Sequence, residues 1–263
     1  MQHESVRLAF SPAICYHCGK GGGPVEYGVK LIKGESGAPL IVTVGGGEDA
    51  AAVRERAIAL SGADFSLAVI TGVDWDASLS PWAAPPVFKK GKPFGGGADK
   101  LLAWVEALLP RLIAENSLSP EYVGIAGYSL AGLFAVYAAY KSRAFSCAAS
   151  VSGSLWFPGF VDFALKNAPV RVPGFAYFSV GDRESETKNP CLSRARASAE
   201  TVERRLRELG AETAFELNPG GHFNEPEERL ARGMARLIIG MGGNGHAGTC
   251  PAAGRKGERS RLL

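Results

Sequence analysis

The sequence predicts an α/β fold, with a mostly parallel central sheet, helices on both faces and an antiparallel hairpin at the N-terminus. Three observations carry this expectation. Short continuous apolar runs such as Pro39–Val44 and Phe175–Val180 stop at glycines, as strands buried on both faces do. Stretches of helical spacing lie between successive runs, the alternation that joins parallel strands by helical crossovers. One junction, from Tyr122 to Tyr140, passes from an apolar strand through a serine between small residues into an apolar, Ala-rich helix.

Taken in order, Val6–Tyr16 and Val25–Lys33 are separated by Gly-rich sequence and read as the two antiparallel strands. Pro39–Val44 is a buried strand running into Gly45–Gly47. Glu48–Leu60 has helical spacing, and Glu48 and Asp49 place acidic groups at its start, where a helix favours them. Phe65–Val73 is the next strand. Asp74–Gly97 is a long loop rich in Pro, Trp and Gly, and its apolar anchors Trp75, Trp82 and Phe88 argue for order. Ala98–Asn116 is an amphipathic helix with an irregularity expected at Pro110. Strands follow at Tyr122–Ala126, Ser146–Val151, Phe175–Val180 and Thr213–Leu217. Helices follow at Leu133–Tyr140, Phe160–Asn167, Cys191–Leu209 (stopped by Gly210) and Glu225–Ile239.

A chain of 263 residues suits one such domain, with a core large enough to need no staples. Residues 1–241 read as that domain, and residues 242–263 as a Gly-rich basic tail expected to be disordered. The net charge of +3 sits in this tail, in Arg255, Lys256, Arg259 and Arg261 against Glu258. The remainder is formally neutral and offers no basic groove, so nucleic acid is not an expected partner. The start, Met1–Leu8, lacks a basic segment leading into an apolar one, and no apolar stretch reaches about 18 residues. A cytosolic protein without a membrane span is expected. Five scattered cysteines give no disulfide framework. Cys15-Tyr-His-Cys18 is half of a zinc-ligand spacing with no second pair, so reduced thiols and no metal are expected.

The chemistry centres on Gly127-Tyr-Ser-Leu-Ala-Gly132, a close variant of G-x-S-x-G with Ala131 at the second glycine position. A serine on a sharp strand-to-helix turn has its hydroxyl pushed out of the bend and neighbouring N–H groups aimed at one point. Small flanking residues are needed because strand and helix approach closely there. In an open α/β sheet, sites form at the carboxyl ends of the strands. Three strand ends carry suitable groups: Ser129, the acidic segment Gly181-Asp-Arg-Glu184, and His222 in Gly220-Gly-His-Phe223.

A serine hydroxyl is a poor nucleophile until a base takes its proton, and histidine can take and return it. A carboxylate fixes the imidazole tautomer and stabilises the imidazolium. Of four histidines, His3 and His246 lie near the termini and His17 in the hairpin region, which leaves His222 as the base. The order Ser…acid…His is that of α/β-hydrolases. Glu184 and Asp182 are both candidate acids. Placement three residues after a strand-ending glycine, common in this fold, favours Glu184; Asp162 lies earlier in the fold. The candidate oxyanion donors are the Leu130 N–H and one from Gly45–Gly47, with Gly46 as the candidate. Trp75, Trp82, Trp156 and Tyr128 fall near the same edge and are candidate substrate-binding residues, since an aromatic pocket suits an acyl or aryl group.

Together with Ser150-Val-Ser-Gly-Ser-Leu-Trp156, the elbow, Gly181-Asp-Arg-Glu184 and Gly220-Gly-His222 resemble the esterase family that includes enterochelin (siderophore) esterases. The resemblance covers roughly Val25 to Ile239. It implies serine ester hydrolysis without metal or organic cofactor. Family members also include acyl-carbohydrate and feruloyl esterases and acyltransferases. This chain is too short for the extra N-terminal domain of the larger siderophore esterases. It has Tyr128 before the nucleophile, and no evident Arg/Lys cluster surrounds the motifs. The expectation is a cofactor-free serine esterase acting on a small-molecule ester through an acyl-enzyme. The alternatives are an acyltransferase with the same triad and a non-catalytic binding protein on the same fold.

Overall fold

Apolar residues alternate sides along the strands, and two helical layers cover them. The computed structural model describes residues 9–10, 14–16, 25–45, 49–88 and 90–242. Strands β1 (Ala9–Phe10) and β2 (Ile14–Tyr16) pair antiparallel with β3 (Val25–Ile32), which pairs antiparallel with β5 (Ser66–Thr71). From β5 onward the order is β4 (Leu40–Val44), β8 (Val123–Tyr128), β9 (Cys147–Val151), β10 (Phe175–Gly181) and β11 (Glu212–Asn218), every neighbouring pair parallel. The parallel sheet is the one expected; of the first expected strand, Val6–Tyr16, the described residues form two short strands, β1 and β2, each antiparallel to β3, and residues 6–8 and 11–13 lie outside the described residues.

On β4, Leu40, Val42 and Val44 join the core under α3 (Ala98–Glu115), α4 (Leu130–Lys141), α5 (Phe160–Lys166) and α6 (Ala195–Glu208). Ile41 joins the core under α1 (Ala50–Ser61) and α7 (Pro226–Gly242). The same split places Phe178 on one side of β10 and Tyr177 on the other. This two-residue period explains why the central strands read as unbroken apolar runs: both faces are buried. Each fully buried large apolar side chain contributes about 1.5–3 kcal/mol.

Several boundaries differ from expectation. Helix α1 begins at Ala50 and has no acidic residue in its first turn; Asp49 precedes it, and Glu48 lies outside the described residues. Helix α3 runs through Pro110 without interruption. Its buried stripe continues on both sides of the proline, from Trp104 and Val105 to Leu108, Leu109 and Leu112. Pro110 and Glu106 are themselves exposed, so the carbonyl freed by the missing N–H faces water. The described residues of the loop from 74 to 97 include α2 (Trp75–Ser78) and a pair of short strands, β6 (Ala83–Ala84) and β7 (Phe94–Gly95), while Lys89 lies outside the described residues. The helix expected from Cys191 starts as a 3-10 turn, Leu192–Arg194, before α6. The tail from residue 243 lies outside the described residues. Among the described residues, no helix is long and apolar enough to cross a membrane.

Candidate active site

The turn from β8 to α4 forces Ser129 to φ 58° and ψ −122°, a region non-glycine residues rarely adopt. The cost is about 1–3 kcal/mol. Surrounding hydrogen bonds hold it. The Ser129 N–H donates to the Val151 carbonyl at 3.1 Å, and the Ser129 carbonyl accepts from Ser154 N–H at 2.9 Å and Leu133 N–H at 3.1 Å. A Cβ on Gly127 would lie 2.1 Å from the Ala131 carbonyl oxygen, so only glycine fits there. The second demand for smallness falls on Gly132, where a Cβ would lie 2.9 Å from the Gly127 oxygen and 3.0 Å from Gly153 Cα. That leaves position 131 free to be alanine.

His222 Nε2 lies 3.0 Å from Ser129 Oγ, and His222 Nδ1 lies 2.8 Å from Glu184 Oε2. The loop Pro219–Gly221 carries the ring from the end of β11. Gly220 has φ +96°, and the Gly221 N–H donates to Asn224 Oδ1 at 2.7 Å. Behind the ring, the Tyr128 hydroxyl donates to the His222 carbonyl. Burial pushes the Tyr128 phenol up, which keeps it a donor.

Glu184 reaches the ring because its loop folds back over the end of β10. Its Oε1 accepts the Gly181 N–H at 2.6 Å and the Ser152 hydroxyl at 2.7 Å, and Arg229 Nη1 lies 3.4 Å away. A Cβ on Gly181 would lie 2.2 Å from the Gly220 oxygen, so the acid-bearing and base-bearing loops meet over a glycine. Burial alone would raise the Glu184 carboxyl. Hydrogen bonds to His222, Gly181 and Ser152 outweigh it and hold the group below its ordinary value.

The other sequence-derived candidates separate. The exposed Asp182 accepts the Gly220 N–H at 2.7 Å and braces the loop, whereas the ring faces Glu184. Leu130 is the first residue of α4, where an N–H has no intrahelical acceptor. Gly46 lies outside the described residues. Gly45, the described member of its loop, spends its N–H on the Ile70 carbonyl at 3.0 Å.

Ser129 and His222 open into a cavity of about 340 Å³ with aromatic walls from Trp75, Phe88, Phe94, Trp156 and Phe223. Trp75 and Trp156 thus stand where expected, but Trp82 and Tyr128 do not line this cavity. The Trp82 indole N–H donates to the Pro158 carbonyl at 2.9 Å, and its ring packs on Phe157, Phe160 and Phe163. Its large face found a better partner in the α5 aromatic cluster, so it anchors the long loop. Tyr128 is turned the other way, against His222 from behind and into a neighbouring cavity of about 420 Å³.

Two residues at the site escape sequence reasoning. Ser152, at φ 46°, sits inside the Ser-Gly-Ser-Leu-Trp stretch with nothing to mark its hydroxyl as a partner of the acid. Arg229 does leave a signal: it falls at four-residue steps with Gly233 and Leu237 on the buried face of α7, where a charge is out of place. Among the described residues, no three His, Cys, Asp or Glu side chains converge to hold a metal ion. His17 and Cys18 lie outside those residues.

No family model matches the chain, and neither does any curated protein. Solved structures do. The siderophore hydrolase EstB from Aspergillus nidulans matches with a TM-score of 0.58 at 17% identity, over 90% of this chain and 97% of its own. EstA, a siderophore hydrolase from the same organism, gives 0.61 at 21% identity, over 88% and 98%. An IroE-like serine hydrolase from Shewanella oneidensis gives 0.65 at 18%, over 81% and 76%. At these identities the likeness is one of architecture: this chain has the α/β-hydrolase fold and resembles, in that fold, siderophore hydrolases and related serine hydrolases.

Proposed function

We propose that this chain hydrolyses carboxylic esters through an acyl-enzyme on Ser129. One observation carries the reading. Ser129 Oγ, His222 and Glu184 form a continuous hydrogen-bonded line, at 3.0 Å and 2.8 Å, opening into an apolar cavity. As Oγ adds to the ester carbonyl, His222 Nε2 takes its proton. Glu184 holds Nδ1–H and offsets the imidazolium charge. The oxyanion accepts the Leu130 N–H. The imidazolium then protonates the departing alkoxide, and the alcohol leaves. Water, deprotonated by the same nitrogen, attacks the acyl-enzyme, and as the bond to Oγ breaks and the acid leaves, the imidazolium returns the proton to Ser129 Oγ.

The aromatic walls suit a small-molecule ester with an aryl or apolar group. Because structural neighbours include proteins described as siderophore hydrolases, such esters belong in a substrate screen. The test is hydrolysis of p-nitrophenyl acetate and butyrate by the purified protein and by Ser129→Ala, with a serine-directed phosphonate. Turnover lost in the variant and label on Ser129 support the reading. A folded protein with neither turnover nor label overturns it.

A further inference from the structure

Helix α7 buries a charge. Arg229 is only 2% exposed, and its partners all belong to the site. Nη1 donates to Ser152 Oγ at 3.3 Å and lies 3.4 Å from Glu184 Oε1, while Nη2 donates to the Pro219 carbonyl at 2.7 Å. Pro219 opens the loop that carries His222. A single side chain therefore touches the acid, the serine that hydrogen-bonds the acid, and the base-bearing loop.

Charged and polar groups face Glu184 from several elements. Its side chain is 5% exposed. His222 faces it from the loop after β11, Arg229 from α7 and neutral Ser152 from the turn after β9. The Tyr128 phenol, from β8, feels both Glu184 and Arg229. Among these groups Arg229 is the permanent cation. Hydrogen bonds from Gly181 and Ser152 favour the ionised carboxylate, and Arg229, 3.4 Å away, adds a counter-charge beside it. Without Arg229, the group able to supply one is the imidazole, and a protonated imidazole is no base.

We propose that Arg229 is a positioning residue and the standing counter-charge of Glu184, letting the carboxylate stay ionised beside a neutral His222 while its second nitrogen fixes the His222 loop. This rests on the reading of Ser129, His222 and Glu184 as a working triad.

Two measurements on the full chain test it. In Arg229→Gln, the acid limb of kcat/KM for p-nitrophenyl butyrate is expected to move up by about one pH unit, with the high-pH plateau kept within about tenfold. Arg229→Lys, which keeps the charge, returns the limb toward its original place. A folded Arg229→Gln protein with the limb unmoved overturns the proposal, whatever its loss of rate. The melting temperature reads the same pair without turnover. Arg229→Gln should lower it by about 10 °C, and the double variant Glu184→Gln/Arg229→Gln, with neither charge, should regain at least about half of that. A double variant no more stable than the single one overturns the pairing. If Arg229→Gln does not fold, recovery of folding in the double variant supports the pairing and its failure overturns it. A wild-type protein that neither turns over esters nor takes the phosphonate would remove the esterase reading, and the stability cycle would still decide whether the two charges are paired.

Discussion

The Asp182 carboxylate accepts the Gly220 N–H at 2.7 Å, while Glu184, two residues later, faces His222 Nδ1 at 2.8 Å. Neighbouring acids thus serve one loop in different ways. Asp182→Ala should cost about 1–2 kcal/mol of stability, since one hydrogen bond to a charged group is lost, and should leave kcat within about tenfold. Glu184→Gln should lower kcat by about 10³–10⁴, because the amide cannot hold the productive tautomer or offset the imidazolium. Urea melts beside p-nitrophenyl butyrate kinetics separate the two. Similar rate losses in both variants would refute this division of labour.

At the elbow, backbone and function oppose each other. Ser129 sits at φ 58° because the hydroxyl must leave the bend, and the chain bears the strain. Ser129→Gly should therefore be more stable than Ser129→Ala by about 1 kcal/mol, both being inactive. Gly127→Ala should lose about 3 kcal/mol or more, since its Cβ would fall 2.1 Å from the Ala131 oxygen. Denaturant unfolding of the three variants checks the order.

Ser129, His222 and the Glu184 loop are legible in the sequence because each follows an apolar run that ends at a turn of small residues. Local spacing reaches that far. Which of Asp182 and Glu184 meets the ring depends on how the loops after β10 and β11 cross, at Gly181 and Gly220, and those lie 39 residues apart in the chain. Trp82 looks like a pocket residue from its neighbours Trp75 and Pro81, yet its burial is decided by Phe157, Phe160 and Phe163, which only the folded chain brings near. Ser152 and Arg229 converge on Glu184 from the turn after β9 and from α7, so no local pattern announces the pair, although Arg229 breaks the apolar stripe of α7.

Acid sensitivity follows from the carboxylate. Folding holds Glu184 below its ordinary value of 4.5. Above that pH the group is ionised in both folded and unfolded chains, and its stabilisation is fully present. As pH falls below 4.5, the unfolded chain binds the proton first, and the stabilisation is lost as pH falls through the folded value. Between about pH 5 and pH 3, the melting temperature of Glu184→Gln should fall less steeply than that of the wild-type protein. Parallel curves would show that Glu184 adds nothing to acid denaturation.

Phe223 is 90% exposed, its ring perpendicular to that of His222 at a separation of 5.1 Å, and it forms part of the cavity wall. A ring so open to water contributes little to folding, so Phe223→Ala should change stability by no more than about 0.5 kcal/mol. A bound aryl or acyl group would cover part of it. At about 25 cal/mol per Å², covering some 40 Å² contributes about 1 kcal/mol, roughly fivefold in KM. The variant should therefore raise KM for butyrate more than for acetate and leave kcat for acetate unchanged. Trp82→Ala should do the reverse. It removes a ring wedged among three phenylalanines and costs about 3–5 kcal/mol, with the butyrate-to-acetate preference intact in whatever folded protein remains. A shift in preference from Trp82→Ala, with none from Phe223→Ala, would mean that the acyl group lies on the α5 side of the site and that the cavity wall has been assigned to the wrong aromatics.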